Sequence, residues 1–244
     1  MKRAGKGIGV LGLLLLLFPV ALWLYPRNEA GHNALAARAL ATQVLAEHLA
    51  HKYPGQRVLV IGNPFTLTQG RQPEAYAFEE AGLRGLRKGF GDAGKIMSVV
   101  FPELRQEYLQ DPASVFVDPA STTPLSYLVA EDALDRLIRE HPECALVVSL
   151  IGLPANLAGA EFWGRTNAPK FALLLPDWRI VGDGPVVQSA WKSGKIVAAV
   201  LNKPGSPAEQ SAVEKESQTA FDRRFLLVTA ENFDEVQRAF PRLF

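Results

Sequence analysis

Apolar runs and stretches of helical periodicity alternate along most of the chain, and their order indicates the fold. Runs that are apolar on both faces predict buried strands over residues 57–61, 95–100, 145–151, 171–175, 196–201 and 225–228, with a possible short strand at 115–117. Helical spacing of apolar residues predicts helices over 33–51, 74–88, 129–140, 186–193, 209–224 and 233–240. Because the apolar strands alternate with helices, we predict a doubly wound, Rossmann-like α/β fold whose mostly parallel sheet has about six strands.

The longest apolar stretch lies at the N-terminus and predicts a membrane anchor. Residues 8–25 are almost wholly apolar, and their length is just sufficient to cross a hydrocarbon core of about 30 Å at about 1.5 Å per residue. Lys2, Arg3 and Lys6 precede this stretch, so the positive-inside rule places the N-terminus in the cytoplasm. We therefore expect a single-pass transmembrane helix within residues 1–26, in the inner membrane, and an extracytoplasmic, periplasmic domain over residues 27–244.

A cleaved signal peptide is the alternative interpretation of the N-terminus, since its basic and apolar regions look the same. Cleavage requires small residues after the apolar run, whereas this run ends with the bulky residues 22–26. The nearest option, cleavage after Ala30, places Asn28 where a small residue is needed. An uncleaved signal anchor is therefore favoured.

Charge and cysteine content narrow the classes of partner. The chain has 26 Lys and Arg residues against 25 Asp and Glu residues. Without the three basic residues before the apolar stretch, 23 basic residues stand against 25 acidic ones. A nucleic-acid-binding domain usually carries a basic face, so we predict no nucleic-acid partner. Cys144 is the only cysteine, and we expect it to be a small buried side chain at the start of a strand.

Short motifs in the chain lack the context that their chemistry needs. Residues 89–94 match G-x-G-x-x-G, but a helix precedes them and a strand follows, the reverse of a dinucleotide-binding turn. We interpret them as a glycine-rich helix C-terminus. Residues 189–192 match S-x-x-K without the companion motifs of that chemistry. His48 and His51 are not accompanied by a further cluster of metal-ligating residues. We therefore predict no cofactor and no metal site, and we assign no catalytic residue.

The rule for ligand sites in such folds directs attention to the carboxyl ends of the strands. Asn63, Asp177, Trp178 and Asn202 stand just past predicted strands and are the candidate ligand-binding residues. Asp177 together with Glu103 could form a carboxylate pair for acid–base chemistry, which keeps a hydrolase open as a possibility. The alternatives are that Asp177 caps or positions a loop and that Trp178 packs in the core.

Several segments resemble the C-terminal lobe of type I periplasmic sugar-binding proteins, the substrate-binding family of ABC transporters. They are residues 37–61, 81–88, 135–149, 171–177 and 191–204, the last of which reads WKSGKIVAAVLNKP. The resemblance covers roughly residues 37–220 and a single lobe only. In that family the ligand lies between two lobes.

The resemblance implies that Asp177 and Asn202 stand where ligand contacts of the family stand. The family's Asn-Asp pair after the central strand is here Ile151-Gly152, which removes polar groups that hold sugar hydroxyls. We therefore predict a non-enzymatic, membrane-anchored, periplasmic-binding-protein-like domain that serves as an accessory or protein-interaction subunit of an envelope complex. A receptor for a small, sugar-like molecule is the alternative, and a hydrolase is the third possibility.

Overall fold

The computed structural model describes residues 29–67, 73–214 and 217–244. One sheet of six strands runs through it in the order β2-β1-β3-β4-β5-β6. The strands are β1 (Arg57–Ile61), β2 (Lys95–Val100), β3 (Leu146–Ser149), β4 (Lys170–Leu174), β5 (Ile196–Asn202) and β6 (Phe225–Thr229). The first five are parallel, and β6 is antiparallel to β5. The predicted α/β class with a mostly parallel, six-stranded sheet is confirmed.

Helices cover both faces of the sheet. They are α1 (Glu29–Lys52), α2 (Pro73–Phe90), α3 (Gln106–Gln110), α4 (Leu125–Leu128), α5 (Ala133–Glu140), α6 (Glu161–Gly164), α7 (Trp178–Val181), α8 (Gly184–Lys192), α9 (Ser217–Arg224) and α10 (Phe233–Ala239). Helices α1, α2 and α9 pack on one face, where Val58 and Val60 point. Helices α5, α7, α8 and α10 pack on the other, where Leu59 and Ile61 point. This strict alternation explains why β1 is apolar at consecutive positions.

Two predicted elements are wrong. Residues 115–117 form no strand, because they pair with no other strand in the part of the chain that is described. They follow a single helical turn, Pro112–Ser114. The predicted helix over 209–224 is confined to α9, and 203–214 is irregular. The guanidinium of Arg224 donates to the carbonyls of Ser211 and Ala212 at 2.7 and 2.8 Å, which holds this segment in a non-helical path.

The connection from β2 to β3 also differs from its prediction. The helix predicted over 129–140 begins at Ala133, because Val129 forms an antiparallel bridge with Leu104 instead. The short helices α3 and α4, within the same connection, were not predicted. The glycine-rich segment is a helix C-terminus as predicted, since α2 ends at Phe90 and Gly91 has φ +47°.

Both outer strands of the sheet carry features that hinder further pairing. In β6, the side-chain amide of Asn232 donates to the carbonyl of Leu227 at 2.9 Å and accepts from the backbone N–H of Thr229 at 2.8 Å. In β2, Met97 is an extra residue, because β1 pairs Val58 and Leu59 with residues on either side of it. An amide that mimics a neighbouring strand and a bulge both weaken the template that an edge strand offers.

Some predictions concern features outside the sheet. Cys144 is buried as predicted, and burial raises the pKa of its thiol to about 11. Across 29–67, 73–214 and 217–244, no helix combines the length and apolar character needed to cross a bilayer. The predicted transmembrane helix at 1–26 lies outside these described residues. The same described part holds no group of three or more His, Cys, Asp or Glu residues that could bind a metal ion.

Candidate functional site

The carboxyl ends of the parallel strands lie at one edge of the sheet, which we call the carboxyl edge. Strand β6 begins at this edge, since Asn202 at the end of β5 pairs with Phe225. The chain order reverses between β1 and β3, where doubly wound folds usually have a ligand crevice. Here Gly152, with φ +84°, lies so close to Thr123 that a Cβ atom would sit 2.8 Å from it. The side chain of Thr123 therefore packs directly against the backbone at the end of β3.

Asn63, which follows β1, has a local structural role. Its side-chain oxygen accepts a hydrogen bond from the backbone N–H of Phe65 at 2.9 Å. This bond caps the single helical turn Pro64–Thr66. The polar group predicted for a ligand is thus engaged by the backbone beside it.

Glu79 on α2 is a buried carboxylate beside the end of β1. Its side chain is 4% exposed, and neither oxygen has a well-formed hydrogen bond within the described residues. The guanidinium of Arg38 on α1 lies 3.9 Å away. Burial raises the pKa of the Glu79 carboxyl. The charge of Arg38 and the backbone amide of Asn63 lower this pKa, but they offset only part of the effect of burial. Nothing in the local sequence distinguishes Glu79 from its neighbour Glu80, so the sequence offered no signal for it.

Asp177, which follows β4, lies at the centre of a hydrogen-bonded network. Its carboxylate accepts from the hydroxyl of Ser121 at 2.9 Å and from Arg179 at 2.6 and 2.9 Å. It also accepts from the backbone N–H of Arg179 at 3.2 Å and so caps α7. Burial alone would raise the pKa of Asp177, but the hydrogen bonds from Arg179 and Ser121 outweigh it and lower the pKa. Asp177 thus adopts the capping role that was the alternative prediction.

Glu103 takes no part in this network. Its carboxylate accepts from Arg136 on α5 at 2.7 Å and is well exposed. The two carboxylates that were considered for acid–base chemistry therefore have separate arginine partners. Glu103 follows β2 and Asp177 follows β4, and β1 and β3 lie between these two strands in the sheet.

Trp178 is largely a core residue. It is 4% exposed, and its ring centroid lies 5.9 Å from that of Trp191 and 5.4 Å from that of Phe244. Its indole N–H has no acceptor within the described residues. Trp178 can therefore offer a ligand only the part of the ring that borders the cavity described next.

Two cavities lie at the carboxyl edge on either side of Leu175 and Asn202. The first, of about 360 Å³, brings together Asp177, Trp178 and Asn202, whereas Asn63 is not among its lining residues. The second, of about 220 Å³, lies on the α1 face. Leu175 has φ +47°, a left-handed conformation that costs about 1 kcal/mol or more for a residue other than glycine. Such strain at the boundary of two cavities is typical of a functional site, and it has no signal in the sequence.

Exposed apolar side chains lie in the connections that follow β1 and β2. Leu67, Leu109 and Phe116 are 67%, 55% and 77% exposed. Phe65 and Tyr108 connect the two loops, since their ring centroids are 5.9 Å apart. We call these five residues the apolar surface. They come from two connections separated in sequence, so the sequence pattern did not reveal that they lie at one edge.

Comparisons with known proteins concern the fold. No protein-family model matches the chain, and no curated protein matches it. A solved ABC-transporter solute-binding protein from Bradyrhizobium sp. BTAi1 is 13% identical with a TM-score of 0.46. A carbohydrate transporter from Acidothermus cellulolyticus, in complex with myo-inositol, is 14% identical with a TM-score of 0.46. The Caulobacter myo-inositol binding protein is 17% identical with a TM-score of 0.44.

The three solved structures are longer than this chain. They match 83–84% of this chain, but the chain covers only 54–62% of their length. The resemblance noted in the sequence and the solved structures point to the same kind of protein, ABC-transporter substrate-binding proteins. Structural similarity at such low sequence identity concerns the fold and identifies neither a ligand nor a partner.

Proposed function

We propose that the protein is a membrane-anchored, extracytoplasmic and non-enzymatic binding domain, an accessory or protein-interaction subunit of an envelope complex. The observation that carries this proposal is the apolar surface. Single exposed apolar side chains are normal, but several at one edge are typical of an interaction site. The polar candidates Asn63 and Asp177 are already bonded within the chain, which weakens the case for a receptor of polar ligands.

The start of α1 supports a partner close to the membrane. The side chain of Asn33 near this start donates to the carbonyl of Gln210, and Ala37 and Arg38 border the cavity at the end of β5. The first turns of α1 therefore lie at the carboxyl edge. An anchor within residues 1–26 would enter the domain here, so that the edge with the apolar surface faces the bilayer.

Site-specific photo-crosslinking in the full-length chain tests the protein-interaction role. A photoreactive side chain at Leu109 and at Phe116 is expected to crosslink the same partner in membranes. The matched control position is Met97, which is 37% exposed on β2, outside the loops that form the apolar surface. Crosslinks at Met97 equal to those at Leu109, or no defined product at either loop position, would contradict the proposal.

A receptor for a small, sugar-like molecule is the second candidate. The strained Leu175 and the cavity of about 360 Å³ favour it, because pockets that bind small molecules typically start at about this size. Asp177, Trp178 and Asn202 would supply the contacts. Myo-inositol and D-arabinose, found in similar structures, are the first probes. A rise in melting temperature that Asn202→Ala removes is expected, and no shift with any sugar tested would eliminate this candidate.

A further inference from the structure

The cavity of about 220 Å³ on the α1 face has a polar end and an apolar wall. Ala37, Ala41, Leu174 and Phe225 form the apolar wall, and Asn202, Ser206, Glu209, Arg38 and Arg224 are the polar lining residues. The cavity is smaller than those that hold drug-sized ligands, which suits a compact molecule. It lies on the opposite face of the sheet from Trp178, and the apolar surface takes no part in it.

Arg224 is a buried cation with no carboxylate partner among the described residues. The residue is 5% exposed and donates to the carbonyls of Ala208, Ser211 and Ala212 at 3.2, 2.7 and 2.8 Å. Its neighbour Arg223, in contrast, pairs with Glu214 at the surface. Among residues 29–67, 73–214 and 217–244, no acidic group lies within ion-pair distance of Arg224. A buried charge is costly without a counter-ion, although carbonyl oxygens offset part of this cost.

Arg38 brings a second guanidinium to the same cavity. Its Nε donates to the carbonyl of Phe78 at 2.9 Å, and Glu79 lies 3.9 Å away. Burial lowers the pKa of Arg38 against the opposing effects of Glu79 and Glu209. Glu209 is exposed at the rim of the cavity. The lining residues therefore include two arginines and one carboxylate, Glu209, which forms no ion pair with Arg224 in the described part of the chain.

We infer that this cavity binds the carboxylate of a small aliphatic molecule. The carboxylate would supply a counter-ion to Arg224, and the amide of Asn202 would donate a second hydrogen bond. The aliphatic part would lie against the apolar wall. The carboxylate can come from an α-amino acid or from a plain carboxylic acid, and Glu209 at the rim distinguishes these two ligands. It is positioned to accept from the ammonium group of an α-amino acid, whereas a plain carboxylic acid makes no use of it.

Three probes with the same branched carbon skeleton separate these possibilities. Isovalerate has the carboxylate alone, leucine has both charged groups, and isoamylamine has the ammonium alone. Binding is measured by the melting temperature of the full-length chain and by titration calorimetry. A bound probe at ten times its Kd is expected to raise the melting temperature by about 3 to 6 °C. Isoamylamine is expected to cause no shift.

Variants assign the effect to the cavity. Arg224→Met is expected to abolish the shift in melting temperature caused by isovalerate. Asn202→Asp is expected to abolish it as well, because it adds a negative charge to an exposed position at the cavity. Arg223→Met is the matched control, since it removes the same charge from the adjacent, exposed position on α9. Glu209→Gln is expected to lower the affinity for leucine to that for isovalerate if an amino acid is the source.

Three results would overturn this inference. They are the absence of a shift with both carboxylates, an equal shift with isoamylamine, and a shift that persists in Asn202→Asp. Because Asn202→Asp changes an exposed side chain, its folding is expected to match that of the parent chain. Crosslinking at Leu109 and Phe116 is expected to be unaffected in these variants. The outcome therefore separates this site from the proposed partner surface.

Discussion

The two ends of the carboxyl edge each contain one buried carboxylate, and the two differ in what surrounds it. Asp177 at the end of β4 is bonded on both oxygens, and the pKa of its carboxyl is lowered. Glu79 beside the end of β1 has only a distant arginine, and the pKa of its carboxyl is raised. The β4 end is held together by the hydrogen bonds of Asp177 and borders the cavities. The β1 end presents exposed apolar side chains. One edge thus offers two different kinds of surface.

The comparison teaches that the position of a residue after a strand does not decide its role. Asn63 and Asp177 both follow strands, as ligand contacts do in this class of fold. Both, however, hold the chain that follows them. The side chains left free for contact are mainly apolar at one end, and at the other end they line cavities.

The largest expected effect concerns the close contact at the β1 end. Gly62→Ala would place a Cβ atom 2.1 Å from Oε1 of Glu79 and 2.8 Å from the ring of Phe101. Since overpacking of a buried site typically costs 1–3 kcal/mol, we expect a loss of about 3 kcal/mol in the free energy of unfolding. Urea denaturation measures it. Gly159→Ala is the matched control, because its Cβ would meet no atom within 4 Å; a similar loss in both variants would refute the close contact.

Removal of the other carboxylate is expected to cost slightly less. Asp177→Ala removes a helix cap and the acceptor of Ser121, for a loss of about 2 kcal/mol at pH 7. Because the pKa of Asp177 is lowered in the folded chain, its contribution is present above the unfolded value of about 3.9 and is lost as the pH falls below it. The difference between the parent chain and Asp177→Asn should therefore be constant from pH 5 to 8 and should decrease below about pH 4. A constant difference down to pH 3 would contradict this network.

Glu79 is expected to show the opposite pH dependence. Its pKa is raised in the folded chain, so folding favours the protonated form. Stability should decrease as the pH rises from the unfolded value of about 4.3 through the folded value. Relative to Glu79→Gln, the parent chain should therefore become more stable when the pH is lowered from 7 to 4.5. Denaturation of both chains across this range measures the gain, and identical pH profiles would show that Glu79 is not perturbed.

The smallest effect on stability is expected at the apolar surface. Leu109→Glu with Phe116→Ser changes exposed side chains and should alter the free energy of unfolding by less than about 0.5 kcal/mol. The same double variant should lose the crosslinked partner. A loss of stability as large as that of Asp177→Ala would mean that these side chains pack within the domain, and the contrast between the two ends would disappear.

The sequence predicted the sheet better than its connections. Strands β1, β3, β4 and β5 are buried on both faces, so their apolar runs were recognisable. The helix predicted over 209–224 was wrong in its first half because Arg224 bonds to carbonyls 12 to 16 residues earlier. A pattern of neighbouring residues contains no information about such bonds.

The candidate site was predictable in location and not in detail. The topological rule led to Asp177, Trp178 and Asn202, which do border one cavity. The partner of Asp177, Ser121, lies 56 residues away in sequence, and the buried state of Glu79 depends on how α1 and α2 meet. The apolar surface combines side chains from separate loops. These features arise from tertiary packing, for which one sequence provides no pattern.

The amide of Asn232 and the extra residue Met97 have a consequence for how the protein tolerates high concentration. Growth of ordered aggregates needs free backbone groups that can extend a sheet from molecule to molecule. The amide of Asn232 occupies backbone groups of β6, and the extra residue Met97 makes the edge of β2 irregular. Two copies that meet at these edges therefore have few regularly spaced backbone N–H and C=O groups that can pair. We therefore expect that the domain can present Leu109 and Phe116 to solvent without the growth of ordered sheets between copies.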